Sequence, residues 1–307
     1  MERRLKENAE TVESAKTNVL VSVIVPTFRQ TELLHKAIDS LVSQSYKNLE
    51  IIVIDDNDDE AFKIGNERYF NSLNDERIVY IRNSENIGSA KSRNKGLNIA
   101  KGEYVTFLDD DDYYSSDKIE IQLKETIKNG YKISICNLIL IGDDGNVIDK
   151  RKRRYFKNGE PLLTMHLKYH LTGTGSFMAE TDFARKIGGF CGSDLGDDFI
   201  FMLNAVESTD KIGHVDVDGV FCAIHNLLGL SAYPNKLKIE SSVMAVKSEY
   251  FNRLKDKDIR FIKMRHFAVL AVTYKKGKKY FKCFINGIKS FAYSPVGFFR
   301  LYFGKCR

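Results

Sequence analysis

The sequence predicts an α/β protein, a sheet covered by helices, with a helical and basic C-terminal extension. Three features of the 307 residues point there. Short β-branched runs alternate with amphipathic stretches at the spacing of βαβ units, which build parallel sheets flanked by helices. Three of those runs stop abruptly in polar or acidic loops. The charge also changes sign near residue 234. Residues 1–233 hold 29 Lys+Arg against 37 Asp+Glu, whereas residues 234–307 hold 18 against 4.

The elements follow in order. Residues 1–18 are a polar leader without the apolar stretch of a signal peptide, so a cytoplasmic location is expected. Residues 19–25 form a buried strand ended by Pro26. Leu33, Leu34, Ala37, Ile38, Leu41 and Val42 recur at helical spacing and predict a helix over 31–44. The run 49–54 is a second strand that stops at Asp55-Asp56. A helix near 60–73, a strand at 78–82 and a helix near 88–100 continue the pattern. The strand 104–108 then runs directly into Asp109-Asp110-Asp111-Asp112. In open α/β sheets, ligands bind beyond the carboxyl ends of the strands. The loops Pro26-Thr27-Phe28, Asp55-Asp56 and Asp109–Asp112 are therefore expected to share one edge and to form a site. Further on, residues 133–140 read as a strand, 143–146 as a hairpin turn and the basic cluster 150–154 as a solvated loop face. The stretch 172–206 reads as a strand, a helix over 181–187 stopped by Gly188-Gly189, and a helix over 197–206.

Composition excludes several classes. A hydrophobic content of 43% with only 4 Pro is too apolar for a mostly disordered chain. No apolar run approaches the roughly 18–20 residues that a membrane-spanning helix needs. The 5 Cys are scattered without a CxxC pair, which argues against a zinc site or a disulfide framework and for a reducing compartment. No nucleic-acid-binding motif accompanies the basic tail, and the acidic body would repel a phosphate backbone.

Three acidic groups carry the chemistry. Four consecutive aspartates repel one another, and a hard divalent cation with oxygen ligands relieves that repulsion; the alternative is an exposed acidic turn. Mg²⁺ held by one or two carboxylates takes its remaining ligands from water and phosphate, so a diphosphate partner is a natural companion. Asp55-Asp56 suits either a nucleotide base or ribose, or plain turn formation. Asp197-Asp198 opens a helix, where capping accounts for one carboxylate and leaves a second that could act as a general base.

Taken in order, these motifs resemble the family 2 glycosyltransferases, inverting enzymes with the GT-A nucleotide-sugar-binding fold, of the kind found in bacterial polysaccharide biosynthesis. The matching segments are Val21–Phe28, Ala37–Tyr46, Leu49–Asn57, Asn86–Leu97, Gly102–Asp112, Ile187–Phe190 and Gly196–Asp198, within residues 20–232. The resemblance implies a GT-A-type, Rossmann-like mixed sheet flanked by helices, with residues 19–233 as the catalytic domain. It implies that Pro26, Thr27, Phe28, Asp56, Arg93 and Asp110 bind the nucleotide, usually through uracil. Asp111 and Asp109 of the DxD element, with His225, would serve a divalent metal, Mn²⁺ or Mg²⁺. Asp198 is the implied base, with Asp197 standing where relatives place Glu, so both stay open. The family often has Pro shortly after the DxD; here Tyr113–Asp117 stands in its place, a departure in the shape of that loop. The implied function is metal-dependent inverting transfer of a sugar from a UDP-sugar to a saccharide or lipid-linked saccharide. The alternative is a non-catalytic nucleotide-sugar-binding protein on a transferase scaffold.

Residues 259–307 hold 12 Lys+Arg, no Asp or Glu, and a succession of Phe, Ile and Tyr. Such a tail suits either an anionic membrane surface, with the protein peripheral at the inner face of the plasma membrane, or a helical cap packed on the catalytic domain.

Overall fold

The computed structural model describes residues 19–142, 144–153, 155–156, 159–192, 196–224 and 233–302, the side chains of 300–302 excepted. The leader 1–18 lies outside them, as does His225. The first half alternates as expected: β1 (Val21–Thr27), α1 (Glu32–Val42), β2 (Leu49–Asp55), α2 (Glu60–Leu73), β3 (Ile78–Arg82), α3 (Ser89–Ile99) and β4 (Tyr104–Phe107). Strands β3, β2, β1 and β4 lie side by side and parallel. Every residue of β1 and β2 is buried, which is why both read as continuous apolar runs rather than alternating ones.

Pro26 sits inside β1 without cost to the sheet. Strand β4 pairs with β1 only as far as Ile24, and the Leu108 N–H closes that ladder on the Ile24 carbonyl at 3.0 Å. A residue two positions on needs no N–H for β4. The divergence of β4 from β1 opens the sheet edge at which the loops collect.

The second half reverses direction. After β5 (Tyr113–Tyr114) come α4 (Lys118–Asn129), β6 (Ile133–Ile141), β7 (Val147–Arg151), α5 (Leu162–Tyr169), β8 (Phe177–Glu180), α6 (Thr181–Lys186), α7 (Asp197–Ser208) and β9 (Ile212–Ala223). Strand β8 inserts antiparallel between β4 and β6, β9 runs parallel to β6, and β5 pairs antiparallel with β9. The order β3-β2-β1-β4-β8-β6-β9-β5, with β7 beside β6, is a mixed sheet. The described part of the cluster, 150–153, is only partly the solvated loop face expected of it: Lys150 and Arg151 are exposed but end β7, and Arg153 is buried. Its guanidinium donates to the carbonyls of His170 and Thr172 and to the Tyr155 hydroxyl, so a cation expected in water braces an inner loop.

Four helices follow: α8 (Asn235–Glu249), α9 (Asp256–Lys276), α10 (Tyr280–Tyr293) and α11 (Pro295–Tyr302). Helices α8 and α9 dock on the body. Val243 and Ile262 share an apolar cluster with Leu167, Phe199 and Leu203. Around it, Lys247 Nζ lies 2.6 Å from His170 Nε2, and Arg265 donates to the Lys168 carbonyl at 2.6 Å. Among the described residues no helix is long and apolar enough to cross a membrane.

Helix α3, which carries Arg93, lies against β1 through Gly96. A Cβ there would meet Ile24 Cγ2 at 2.5 Å, and Ile24 is fully buried in β1. Gly96→Ala should therefore destabilise the protein by about 1–2 kcal/mol in urea denaturation, because overpacking outweighs the roughly 1 kcal/mol helix-propensity gain. A more stable variant would show that α3 can ride away from the sheet.

Candidate functional site

The carboxyl ends of β1, β2 and β4 meet as expected, and hydrogen bonds stitch their loops together. Asp56 N–H donates to the Thr27 carbonyl at 2.9 Å, and Arg29 N–H donates to Asn57 Oδ1 at 2.6 Å. Phe28 N–H donates to Asp110 Oδ2 at 2.9 Å, binding the first loop to the aspartate run. Pro26 is buried in the floor, whereas the Phe28 ring is 38% exposed with the Arg29 guanidinium 4.9 Å from its centroid. The Thr27 hydroxyl is buried without a hydrogen-bond partner, although it lies close enough to Asp110 to help hold that carboxyl's pKa down.

The two aspartates at the end of β2 have different duties. Asp55 is fully buried: it accepts from Asn57, which is turn formation, and from Asn66 of α2 and the Tyr80 hydroxyl of β3, which ties those elements to the end of β2. Asp56 accepts from Asn83 Nδ2 at 2.8 Å, Ile87 N–H at 2.9 Å and Gly88 N–H at 2.8 Å. It holds the entry of α3, and these three donors take three of the roughly four acceptor positions of a carboxylate.

The aspartate run divides among neighbouring elements. Asp109 Oδ1 receives Arg93 Nη2 at 2.5 Å. Asp110 receives the Phe28 N–H, and Asp112 the Ala223 N–H of β9 at 3.0 Å. Asp111 stands half-buried between them. Burial pushes the Asp110 carboxyl up to about 7, against the pull of the Phe28 N–H. Burial, then the charges of Asp111 and Asp109, raise Asp112 as well.

Arg93 is almost wholly buried on α3. Its second terminal nitrogen, Nη1, reaches Asp197 Oδ2 at 3.0 Å, so one guanidinium bridges the aspartate run to the start of α7. Burial alone would lower its pKa, but Asp109 and Asp197 more than reverse this and hold it cationic. The Phe190 ring lies 5.3 Å from the guanidinium carbon, and Asn94 binds the Phe190 backbone both ways, at 2.7 and 2.8 Å. Burial pushes the Asp197 carboxyl up to about 6 despite Arg93. Asp198 is different: half-buried, it accepts the Gly173 N–H at 3.1 Å. Asp197 is thus the buried partner of Arg93, and Asp198 is the more exposed carboxylate of the two.

Gly173 is the partner that sequence reasoning missed. It has φ +103°, and a Cβ would meet Leu138 Cδ1 at 2.5 Å. The signal was present in Thr172-Gly-Thr-Gly-Ser176, a segment whose glycines suit left-handed backbone.

His166 holds the same loop from beneath. Its Nδ1 accepts the Leu171 N–H at 3.2 Å, so its Nε2 carries the proton and donates to the Phe199 carbonyl at 3.0 Å. Burial pushes this imidazole down to about 3.

A divalent cation fits the donor set, which is all oxygen and carries repelling charges. Among the described residues no three such side chains converge to hold one, so the chain would supply few of its ligands. Asp109 and Asp111 are the described members of the expected metal set, and Asp109 gives one of its oxygens to Arg93.

Comparison with known proteins accords with this geometry. Residues 22–185 match the model of glycosyl transferase family 2. WfaP of Escherichia coli, a UDP-Glc:alpha-D-GlcNAc-diphosphoundecaprenol beta-1,3-glucosyltransferase, is 40% identical over 105 residues, 34% of this chain and 40% of WfaP. TuaG of Bacillus subtilis, provisionally named a teichuronic acid biosynthesis glycosyltransferase, is 35% identical over 131 residues, 43% of this chain and 51% of TuaG. The matched segments thus span about half or less of these relatives. S. aureus TarS 1–349, solved in complex with UDP-GlcNAc, superposes with a TM-score of 0.59 at 19% identity, covering 87% of this chain and 90% of that one. It shares the fold.

Two outcomes test the site's construction. Arg93→Met should cost about 3 kcal/mol or more in urea denaturation, since removing one partner leaves buried charge unpaired. Arg93→Lys should recover less than half of that, because an ammonium cannot fork to two carboxylates. A methionine variant of wild-type stability would show that the bridge does not hold these loops. The second outcome concerns pH. His166 is neutral when folded and protonates near 6.5 when unfolded, so the unfolded state binds the extra proton between pH 6.5 and about 3. As pH is lowered across that window its share of stability is lost, by up to about 1.4 kcal/mol per pH unit. His166→Gln should flatten this part of the stability–pH curve, as read by denaturation at successive pH values.

Proposed function

The chain belongs to glycosyl transferase family 2, and from that premise we propose that it is a metal-dependent inverting glycosyltransferase. It would move a sugar from a UDP-sugar to a hydroxyl of a saccharide or lipid-linked saccharide in cell-surface polysaccharide synthesis. The Arg93 bridge carries this reading. It ties the aspartate run to the α7 entry and leaves Asp198 half-buried at the shared sheet edge. The activity named for WfaP supports a UDP-sugar donor and a diphospholipid-linked acceptor, and the name of TuaG supports polysaccharide synthesis.

The roles follow from position. Phe28 offers an exposed ring for the base, and the buried Thr27 hydroxyl and the remaining acceptor position of Asp56 offer polar contacts beneath it. Asp198, oriented by the Gly173 N–H, takes the proton of the acceptor hydroxyl. That oxygen attacks the anomeric carbon from the face opposite the diphosphate. As the new C–O bond forms, the bond to the diphosphate oxygen breaks, and its electron pair leaves with the diphosphate. Asp197 and Arg93 position the base without touching the sugar. A divalent metal at Asp111, Mg²⁺ or Mn²⁺, would supply Lewis-acid neutralisation of the leaving charge.

Asp198→Asn should retain UDP binding and lose about 10²–10⁴ in turnover. Asp111→Asn should instead weaken Mg²⁺- or Mn²⁺-dependent UDP binding in calorimetry. A donor screen with uridine and guanosine diphosphate sugars, followed by lipid-linked saccharide acceptors, reads the activity itself. Nucleotide-sugar binding with no transfer to any acceptor, and no slow release of nucleotide diphosphate, would favour a binding protein instead. Near-normal transfer by the Asp198 variant would overturn the assignment of the base.

A further inference from the structure

We propose that α10 and the start of α11 form a docking surface that lies in the plane of an anionic lipid bilayer. Along α10, Phe281, Phe284, Ile288 and Phe291 recur at i, i+3, i+7 and i+10, which at about 100° per residue places them on one face. That face is open: Phe281 is 76% exposed and Phe284 66%. Val296 and Phe299 of α11 are exposed as well. The opposite side is anchored, because Ser290 is the one buried residue of α10 and its hydroxyl donates to the Met264 carbonyl of α9 at 2.8 Å. The Tyr293 ring stacks on Phe267 of α9 at 5.5 Å.

The charge identifies the occupant. Lys275, Lys276, Lys278 and Lys279 are exposed where α9 gives way to α10, Lys282 and Lys289 are exposed on the flank of α10 that leans on the Tyr274 and Phe267 rings of α9, and no acidic residue occurs between 259 and 307. A bulky apolar stripe bordered by lysines matches the acyl–headgroup boundary of an anionic leaflet. A second copy of this chain fits poorly, since a two-fold contact through this face would set the same lysines against one another. None of the described helices can span a bilayer, so contact through α10 is in-plane. The inference does not depend on the transferase reading, because binding is measured without sugar, metal or turnover.

The test is sedimentation of the full chain with vesicles of phosphatidylcholine alone, or mixed with phosphatidylglycerol. Binding is expected to the mixed vesicles, weakening as salt is raised. The triple variant Phe281→Ser, Phe284→Ser, Ile288→Ser should lose at least about tenfold in partitioning. Lys276→Glu, Lys279→Glu, Lys282→Glu should lose as much while leaving the apolar stripe intact, which keeps the test decisive if the first variant misfolds. Three results would overturn the proposal. One is no partition onto anionic vesicles. Another is equal partition by both variants and the wild type. The third is a dimer in analytical ultracentrifugation that the serine variant dissociates.

Discussion

The buried guanidinium of Arg93 is the constraint around which the site is arranged. Taking a cation out of water costs several kcal/mol, and only well-placed counter-charges offset it. Here two carboxylates do so from different parts of the chain: Asp109 follows β4 and Asp197 opens α7, 104 residues beyond Arg93. Once α3 is seated on β1 by Gly96, the guanidinium has one position, and both acidic loops must come to it. Phe190 closes the fourth side and is itself fixed by Asn94, one residue along the same helix. A single turn of α3 thereby sets the relative placement of the aspartate run and the helix that carries Asp198.

The same logic explains why four consecutive aspartates are tolerable beside a buried strand. Three of the carboxylates are answered by three different elements: Arg93 on α3, the Phe28 N–H after β1, and the Ala223 N–H at the end of β9. The run works as a junction that ties the parallel half of the sheet to the mixed half. Burial first, and the neighbouring carboxylates after it, raise the pKa values of Asp110 and Asp112, so some repulsion within the run adds to the cost of burying it. Such residual repulsion is what a bound cation offsets.

What was legible in the sequence divides at the same junction. The parallel half was readable element by element, because βαβ units are local and strands buried on both faces leave continuous apolar runs. The sharing of one edge by Thr27, Asp55-Asp56 and Asp109–Asp112 followed from topology alone. Strands β5, β7 and β9, and helices α4 and α5, were not identified. β5 is two residues long, and β9 alternates irregularly between buried and half-buried positions. Its pairing with β6 depends on contacts distant in sequence. Arg153 was misplaced for a related reason, since charge patterning assigns cations to water and cannot see carbonyls that a later loop will present. The different surroundings of Asp197 and Asp198 were likewise invisible, because they rest on which of the two Arg93 reaches.

The C-terminal helices belong to this arrangement more closely than their change of charge suggests. Lys247 of α8 is buried, and its ammonium is pushed down to about 7 by burial, so the contact with His170 rests on a hydrogen bond more than on charge. His170 is itself left-handed, with φ +59°, and its pKa is lowered by burial and by Lys247. The loop it begins reaches Gly173, whose N–H meets Asp198. Arg153 braces that loop at His170 and Thr172, and His166 braces it at Leu171. Arg153 and His166 therefore hold the backbone of residues 170–172, and Lys247 holds the His170 side chain, in a strained path that ends on the carboxylate of the proposed base. A left-handed non-glycine residue costs on the order of 1–3 kcal/mol and persists only where its surroundings over-determine it. Helix α8 supplies one of those determinants, so the basic extension helps to build the loop as well as to cover the body.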